Sequence, residues 1–214
     1  MYALTHASMT QFCCGNYTMA SAKADELVAL AGEKGSLIWK AYGASRQGFV
    51  AAVTDKAADA VQIITSAIDI ARSTGSTLWT PLNLLHLARA EAALGKFDDA
   101  RRCIGEAMTA MGTTKETWWE AEVNRIVGEI AWRSPERDVA KAQTYFERAL
   151  AIARQQQAKS WELRAAMSLA LLWRFQGKPQ QARELLAPVY GWFTEGFDTL
   201  DLKDAKALLE EFSA

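Results

Sequence analysis

Residues 37–76 read LIWKAYGASRQGFVAAVTDKAADAVQIITSAIDIARSTGS, and residues 77–116 read TLWTPLNLLHLARAEAALGKFDDARRCIGEAMTAMGTTKE. Laid over one another, the two stretches share their landmarks: Trp39 and Trp79, Gly48 and Ala88, Ala60 and Ala100, Ile64 and Ile104, Ala67 and Ala107. The register continues outward in both directions. Trp119 and Trp161 follow at spacings of 40 and 42 residues. One column reads Ala20, Ala60, Ala100, Ala142 and Ala182, and a second is always small: Ser8, Gly48, Ala88, Gly128 and Ala170. A third carries Ala24, Ile64, Ile104, Phe146 and Leu186, and a fourth Leu27, Ala67, Ala107, Ala149 and Val189. Gly15, Gly95 and Gly177 recur where the first helix of a unit should end. Self-similarity at a fixed period of this length is the signature of stacked helix hairpins. The small columns let two antiparallel helices approach closely, and the large ones fill the space between neighbouring units.

The expected fold is therefore all-α: a right-handed α-solenoid of about five helix pairs with a C-terminal capping helix. It forms one repeat domain over 1–214, with units at about 1–36, 37–76, 77–116, 117–158 and 159–199 and a cap at 200–214. The helix pairs are expected near Tyr2–Cys14 and Met19–Glu33, Leu37–Val53 and Lys56–Ser73, Leu78–Leu94 and Phe97–Met111, Thr117–Trp132 and Val139–Gln157, and Ser160–Gln176 and Pro179–Phe193. Asp201 reads as the N-cap of a last helix over Leu202–Phe212. In KAQTYFERALAIARQQQ, the residues Ala142, Phe146, Ala149, Leu150 and Ala153 make one apolar stripe, as a packed second helix requires.

Composition narrows the function. The chain is 50% hydrophobic and 23% charged, with only 13 Gly and 4 Pro, a balance that permits helices throughout. Lys plus Arg is 24 and Asp plus Glu is 25, so there is no basic excess to bind nucleic acid or an anionic membrane. No apolar run reaches membrane-spanning length, and the start lacks a secretory pattern, so the cytoplasm is the expected compartment. Cys13, Cys14 and Cys103 offer neither an even disulfide set nor metal-ligand spacing. No metal, cofactor or catalytic group is expected. His6 and His86 are the only histidines, and His86, between Leu85 and Leu87, reads as structural. Glu122–Arg125 and Arg125–Glu129 have the spacing of ordinary helix-surface ion pairs. Trp39, Trp79, Trp119 and Trp161 read as packing elements between units, whereas Trp132, Trp173 and Trp192 lie off that register.

LGKFDDARRCIGEAM (94–108), SPERDVAKAQTYFERALAIA (134–153) and QGKPQQARELLAPVY (176–190) resemble the second half of a tetratricopeptide repeat (TPR), with the usual period of about 34 residues stretched to 40. TWWEAEVNRIVGEIAW (117–132), followed by the run from Ala158 to Glu211, is similar to the C-terminal repeat region of bacterial multidomain signalling proteins. In those proteins a class III adenylate/guanylate cyclase domain and an AAA-type ATPase domain precede the repeats. The resemblance implies a non-enzymatic module that binds a protein or peptide in cytoplasmic signalling, or a regulatory tail acting on such domains in cis. It does not imply cyclase activity, since neither a phosphate loop nor a paired-aspartate metal site occurs here. Carried over column by column, the resemblance puts Tyr42, Ser45, Phe49 and Ala52 on the concave face, then Leu82, Leu85, Arg89 and Ala92. Glu122, Arg125, Glu129 and Trp132 follow, and then Arg164, Met167, Leu171 and Arg174. The binding candidates are Tyr42, Phe49, Arg89, Glu122, Arg125, Glu129, Trp132, Arg164 and Arg174. Four arginines on that face suit a partner with an acidic element, unless they are solvated or paired with Glu122 and Glu129. Two further readings stay open: a small-ligand sensor, and a homodimer formed through Tyr2, Leu4, Met9 and Phe12 of the N-terminal repeat. The abrupt entry into that repeat suggests the tail of a longer chain.

Overall fold

A computed structural model of the chain describes residues 1–212. Among them lie eleven α-helices and no strand. In chain order these are α1 (Tyr2–Cys13), α2 (Tyr17–Glu33), α3 (Leu37–Val53), α4 (Ala57–Ser73), α5 (Thr80–Ala93), α6 (Phe97–Thr114), α7 (Glu120–Arg133), α8 (Val139–Gln155), α9 (Lys159–Phe175), α10 (Pro179–Tyr190) and α11 (Leu200–Glu211). They gather into two compact units, Met1–Glu116 holding α1 to α6 and a second beginning at Thr117 holding α7 to α11.

The repeat columns explain the hairpins. Every alanine of the invariant column is fully buried, and so are its larger neighbours Ile64, Phe146 and Leu186. A Cβ added at Gly48 would lie 2.4 Å from Ile64 Cγ1, and one at Gly128 would lie 2.6 Å from Phe146 Cε1. The first helix of a pair thus rests its small residue directly on the large apolar residue of the second. Where the column carries a serine, Ser8 Oγ donates to the Ala20 carbonyl at 2.8 Å and spends its polar group inside the hairpin.

The turns repeat as faithfully as the helices. Gly15, Asp55, Gly95, Arg137 and Gly177 all take the left-handed conformation between the two helices of a pair, and Gly35, Gly75, Lys115 and Gln157 take it after second helices. In the first of these turns the Gly15 N–H donates to the Phe12 carbonyl and the Asn16 N–H reaches back to Gln11, the paired bonds that close a helix around a left-handed residue. Gln157 and Asp55 show that the geometry belongs to the turn and not to glycine alone.

Several helix ends fall within three residues of their expected bounds, and the start of the last helix shows why. Thr199 is the N-cap of α11, and Asp201 lies inside its first turn. An acid is favoured there by the helix dipole, and the position leaves the carboxylate free to reach α9. Ala205, Leu202 and Leu208 from α11 complete a core with Leu169, Leu186 and Val189, against which Tyr190 at the end of α10 and Phe193 of the loop after it also pack. No helix among the described residues is long and apolar enough to cross a membrane.

Candidate functional site

First helices pack on first helices within each unit: α1 on α3 and α3 on α5, then α7 on α9 and α9 on α11. The face they form is where the columns expected to bind a partner fall. It is built differently in the two units.

In the first unit it is aromatic. On α3, Tyr42, Arg46 and Phe49 stand one helical turn apart and share one helix face, as do Asn83 and His86 on α5, whose N-cap is Trp79. The ladders meet. The Arg46 guanidinium carbon lies 4.2 Å from the Trp79 ring centroid and 5.1 Å from that of Phe49, and the His86 ring stacks on Phe49 at 4.1 Å. α1 closes the cluster through Phe12, 5.3 Å from His86 and 6.2 Å from Phe49, and His6, 6.2 Å from Trp79. The Tyr42 hydroxyl shares a hydrogen bond of 2.9 Å with Ser76 Oγ.

Arg46 sits among these rings with only 2% of its surface exposed. Its Nε, Nη1 and Nη2 are all buried without a hydrogen-bond partner, and the same is true of Asn83 Oδ1. Burial drives the Arg46 pKa down from the ordinary arginine value to about 9, against the smaller opposing influence of Cys13 and Tyr42. At neutral pH the guanidinium is therefore charged, desolvated and uncompensated. Buried polar groups are paired in the great majority of cases, and an exception calls for an account. The sequence reading passed over Arg46 because it took the neighbouring column, Ser45. The signal was present: the column holding Arg46 also holds His6 and His86, a run of nitrogen-bearing side chains inside otherwise apolar helices.

In the second unit the same face is a closed network of ions. Arg125 is 7% exposed and grips Glu122 with two bonds of 2.7 Å, while Nη1 reaches Glu129 and Ser168. Arg164 binds Asp201 at 2.7 Å and lies 3.8 Å from Glu122, with its guanidinium carbon 5.0 Å from the Trp161 ring. Burial disfavours charge on both arginines. The facing carboxylates outweigh it, Glu122 and Glu129 for Arg125 and Glu122 and Asp201 for Arg164, and hold both above the ordinary arginine range. Arg174 pairs with Glu211 across the same two helices. Below the network, burial opposes charge on Glu162, but bonds from Lys159 and Arg154 hold its pKa below the usual carboxylate value.

The nine candidates thus divide. Tyr42 and Phe49 are buried among the rings, Arg89 is half-buried on α5 and makes no ion pair among the described residues, and Trp132 is half-buried with its ring 6.1 Å from Phe175. Glu122, Arg125, Glu129, Arg164 and Arg174 are joined in ion pairs within their own unit. Glu122–Arg125 and Arg125–Glu129 lie on one helix, as their spacing implied, but are buried, and Arg164 links Glu122 on α7 and Asp201 on α11 to α9. Met9 and Phe12, expected at a dimer interface, are already buried inside the first unit; Tyr2 is exposed and Leu4 half-buried. The register tryptophans behave as spacers: Trp39 meets Tyr2 of the unit before it, and Trp119 meets Trp161 at 5.2 Å.

With the geometry in place, comparison with solved structures adds the fold. A Rap protein complexed with competence and sporulation factor superposes with a TM-score of 0.77 at 16% identity, over 99% of this chain and 57% of that one. Two structures of nearly identical TPR-like repeats from a Podosopora anserina kinesin light chain give TM-scores of 0.57 and 0.55 at 16% and 15% identity, covering 89% and 98% of this chain and 92% and 95% of theirs. The fold is TPR-like. No protein-family model matches the sequence, and no curated protein matches it. The chain spans little more than half the length of the Rap protein.

Proposed function

We propose that this chain is a non-enzymatic module that binds a peptide or an extended protein segment on the face made by its first helices. The observation that carries the reading is the composition of that face in the first unit. Thr5, Ser45, Arg46, Asn83 and His86 are buried there among Phe12, Tyr42, Phe49 and Trp79, a density of hydrogen-bonding groups that packing alone does not call for. Rap, the best superposed of the structures above, was solved in complex with a factor, which supports the same use of the fold. In the first unit the contact we assign is Arg89, with Tyr42 and Phe49 buried in the core of the same face; in the second unit it is Trp132, with the ion network of Glu122, Arg125, Glu129, Arg164 and Arg174 holding that unit's helices in place. The cytoplasm is the compartment we assign.

Selecting binders from a displayed library of random 15-residue peptides tests this reading. Arg89→Glu is the reporter variant, since Arg89 is accessible and not part of an internal pair. Selected peptides are expected to lose about tenfold in affinity, equivalent to about 1.4 kcal/mol, with helicity unchanged. Peptides that instead lose affinity when the outward-facing Gln143 or Arg148 of α8 is changed would sink the assignment. The resemblance of residues 117–211 to cyclase-associated repeats supports a second reading, control of attached domains in cis. Co-expression with a class III cyclase domain tests it, and turnover indifferent to the module counts against it.

A further inference from the structure

Arg46 carries a positive charge into the first unit, and its surroundings show which group answers it. All three guanidinium nitrogens are buried without a hydrogen-bond partner. Helix α1 packs on α3 and reaches both rings that hold the guanidinium: His6 lies 6.2 Å from Trp79, and Phe12 lies 6.2 Å from Phe49. Cys13 follows Phe12 and stands about two helical turns after His6, on the same side of α1. Burial disfavours the charge of Arg46, and the groups that oppose burial are Cys13 first and Tyr42 second. Both are acids that are ordinarily neutral at pH 7, so a counter-ion arises only when one of them ionises. The Tyr42 hydroxyl is buried and bonded to Ser76. Cys13 is half-buried, so solvent reaches it, and a thiol ionises more readily than a phenol. We propose that Cys13 is a modification site, a thiol whose anion Arg46 stabilises and to which small disulfides attach.

The attraction between two charges acts equally on both, so the guanidinium that Cys13 supports in turn favours the Cys13 thiolate. Cys14 is the built-in comparison. It is the next residue, half-buried like Cys13, and both stand at the C-terminal end of α1, where the helix dipole disfavours an anion. Position in the helix therefore does not separate them. Arg46 does, since Cys13 acts on its charge and Cys14 is not among the groups that do. Cys103 is buried in α6, and burial pushes its thiol up. The thiolate is the reacting form. The Cys13 sulfur attacks one sulfur of R–S–S–R, the S–S bond breaks, the Cys13 mixed disulfide forms and R–S⁻ leaves; excess free thiol runs the exchange backwards. The mixed disulfide is uncharged, so thiolation returns Arg46 to its isolation and adds bulk beside Phe12.

The test is the rate of reaction with 4,4′-dithiodipyridine, an uncharged disulfide, followed against pH by the thiopyridone released. Cys14→Ser reports Cys13, and Cys13→Ser reports Cys14. At pH 6.5 Cys13 is expected to react about tenfold faster than Cys14, the ratio that one unit of difference in thiol ionisation gives. Arg46→Met, placed in the Cys14→Ser chain, should slow Cys13 about tenfold at pH 6.5 and move the midpoint of its profile to higher pH, with the rate at the alkaline plateau unchanged. A change in access alone would move the plateau instead. Arg46→Lys, which keeps the charge, should keep most of the rate. The other titratable groups nearby are Tyr17 of α2 and His86 of α5, whose rings meet Phe12, together with His6 and Tyr42; they are common to parent and variants, so the difference isolates Arg46. Reaction of the buried Cys103 reports any loosening of the fold in Arg46→Met, and the comparison of Cys13 with Cys14 next to an intact Arg46 then decides. Cys13 reacting no faster than Cys14, or a Cys13 profile that Arg46→Met does not move, overturns the proposal. Either result leaves the peptide reading untouched.

Discussion

Arg46 is the residue at which burial and charge are in open conflict. A buried charge without a partner costs several kcal/mol, and cation–π contact with Trp79 and Phe49 returns about 2 kcal/mol. Arg46→Met, similar in length and apolar, should therefore stabilise the protein by about 1–3 kcal/mol in urea unfolding at pH 7.5. A loss of stability would show that the ring contacts outweigh the burial cost. The pH dependence has a definite sign. Below about pH 9 the guanidinium is protonated in both the folded and unfolded states, so its cost is fully present. Between the folded value of about 9 and the ordinary arginine value of the unfolded chain, the unfolded chain binds the extra proton and stability rises with pH. The advantage of Arg46→Met should shrink by about 2 kcal/mol between pH 8 and pH 10.5, while Cys13 and Tyr42 remain common to both proteins. For Arg46 the column shared with His6 and His86 was legible, but the fork's isolation was not, because it depends on what three helices fail to supply. Arg125 was half legible. Spacing gave its partners Glu122 and Glu129, but their burial comes from packing of α7 on α9, which no local pattern records.

At the scale of the element, the repeat columns were legible because each is a steric requirement repeated five times. Gly48 and Gly105 separate the two meanings of a helical glycine. Gly48 in α3 faces Ile64 at a distance that no methyl group tolerates, whereas nothing lies within 4 Å of a Cβ built on the exposed Gly105 of α6. Gly48→Ala should lose about 1–3 kcal/mol through overpacking. Gly105→Ala should gain about 0.5–1 kcal/mol through backbone entropy. Urea midpoints compare the two, and a stabilised Gly48→Ala would mean that the hairpin has slack the geometry does not show. The α11 start was misread for a related reason. Thr199 and Asp201 are both acceptable capping residues by type; the choice follows from the ion pair that Asp201 makes with Arg164 on α9, a contact that cannot be seen in residues 199–212 alone.

At the scale of the molecule, the two units answer the same architectural problem in opposite ways. Each packs first helix against first helix, and each buries charge in doing so. The second unit neutralises that charge internally: Glu122, Glu129 and Asp201 face Arg125 and Arg164. The first unit leaves its charge uncompensated at Arg46. In repeat proteins, stability is close to a sum of terms within and between neighbouring hairpins, so changes to these two centres should be felt locally. Hydrogen exchange followed by mass spectrometry reads both in one experiment. Arg46→Met should slow exchange in peptides from α3 and α5 and leave α7 and α9 as they are. Arg125→Lys keeps the charge but loses the fork, leaving buried carboxylate oxygens without donors. It should raise exchange in α7 and α9, corresponding to a loss of about 1–3 kcal/mol, with α3 and α5 unchanged. If either substitution shifts all four helices together, the chain opens as one cooperative body and the local account of its two buried charges is wrong. If the effects stay apart, each unit carries its buried charge as a local matter, neutralised by carboxylates in the second and left to the rings around Arg46 in the first.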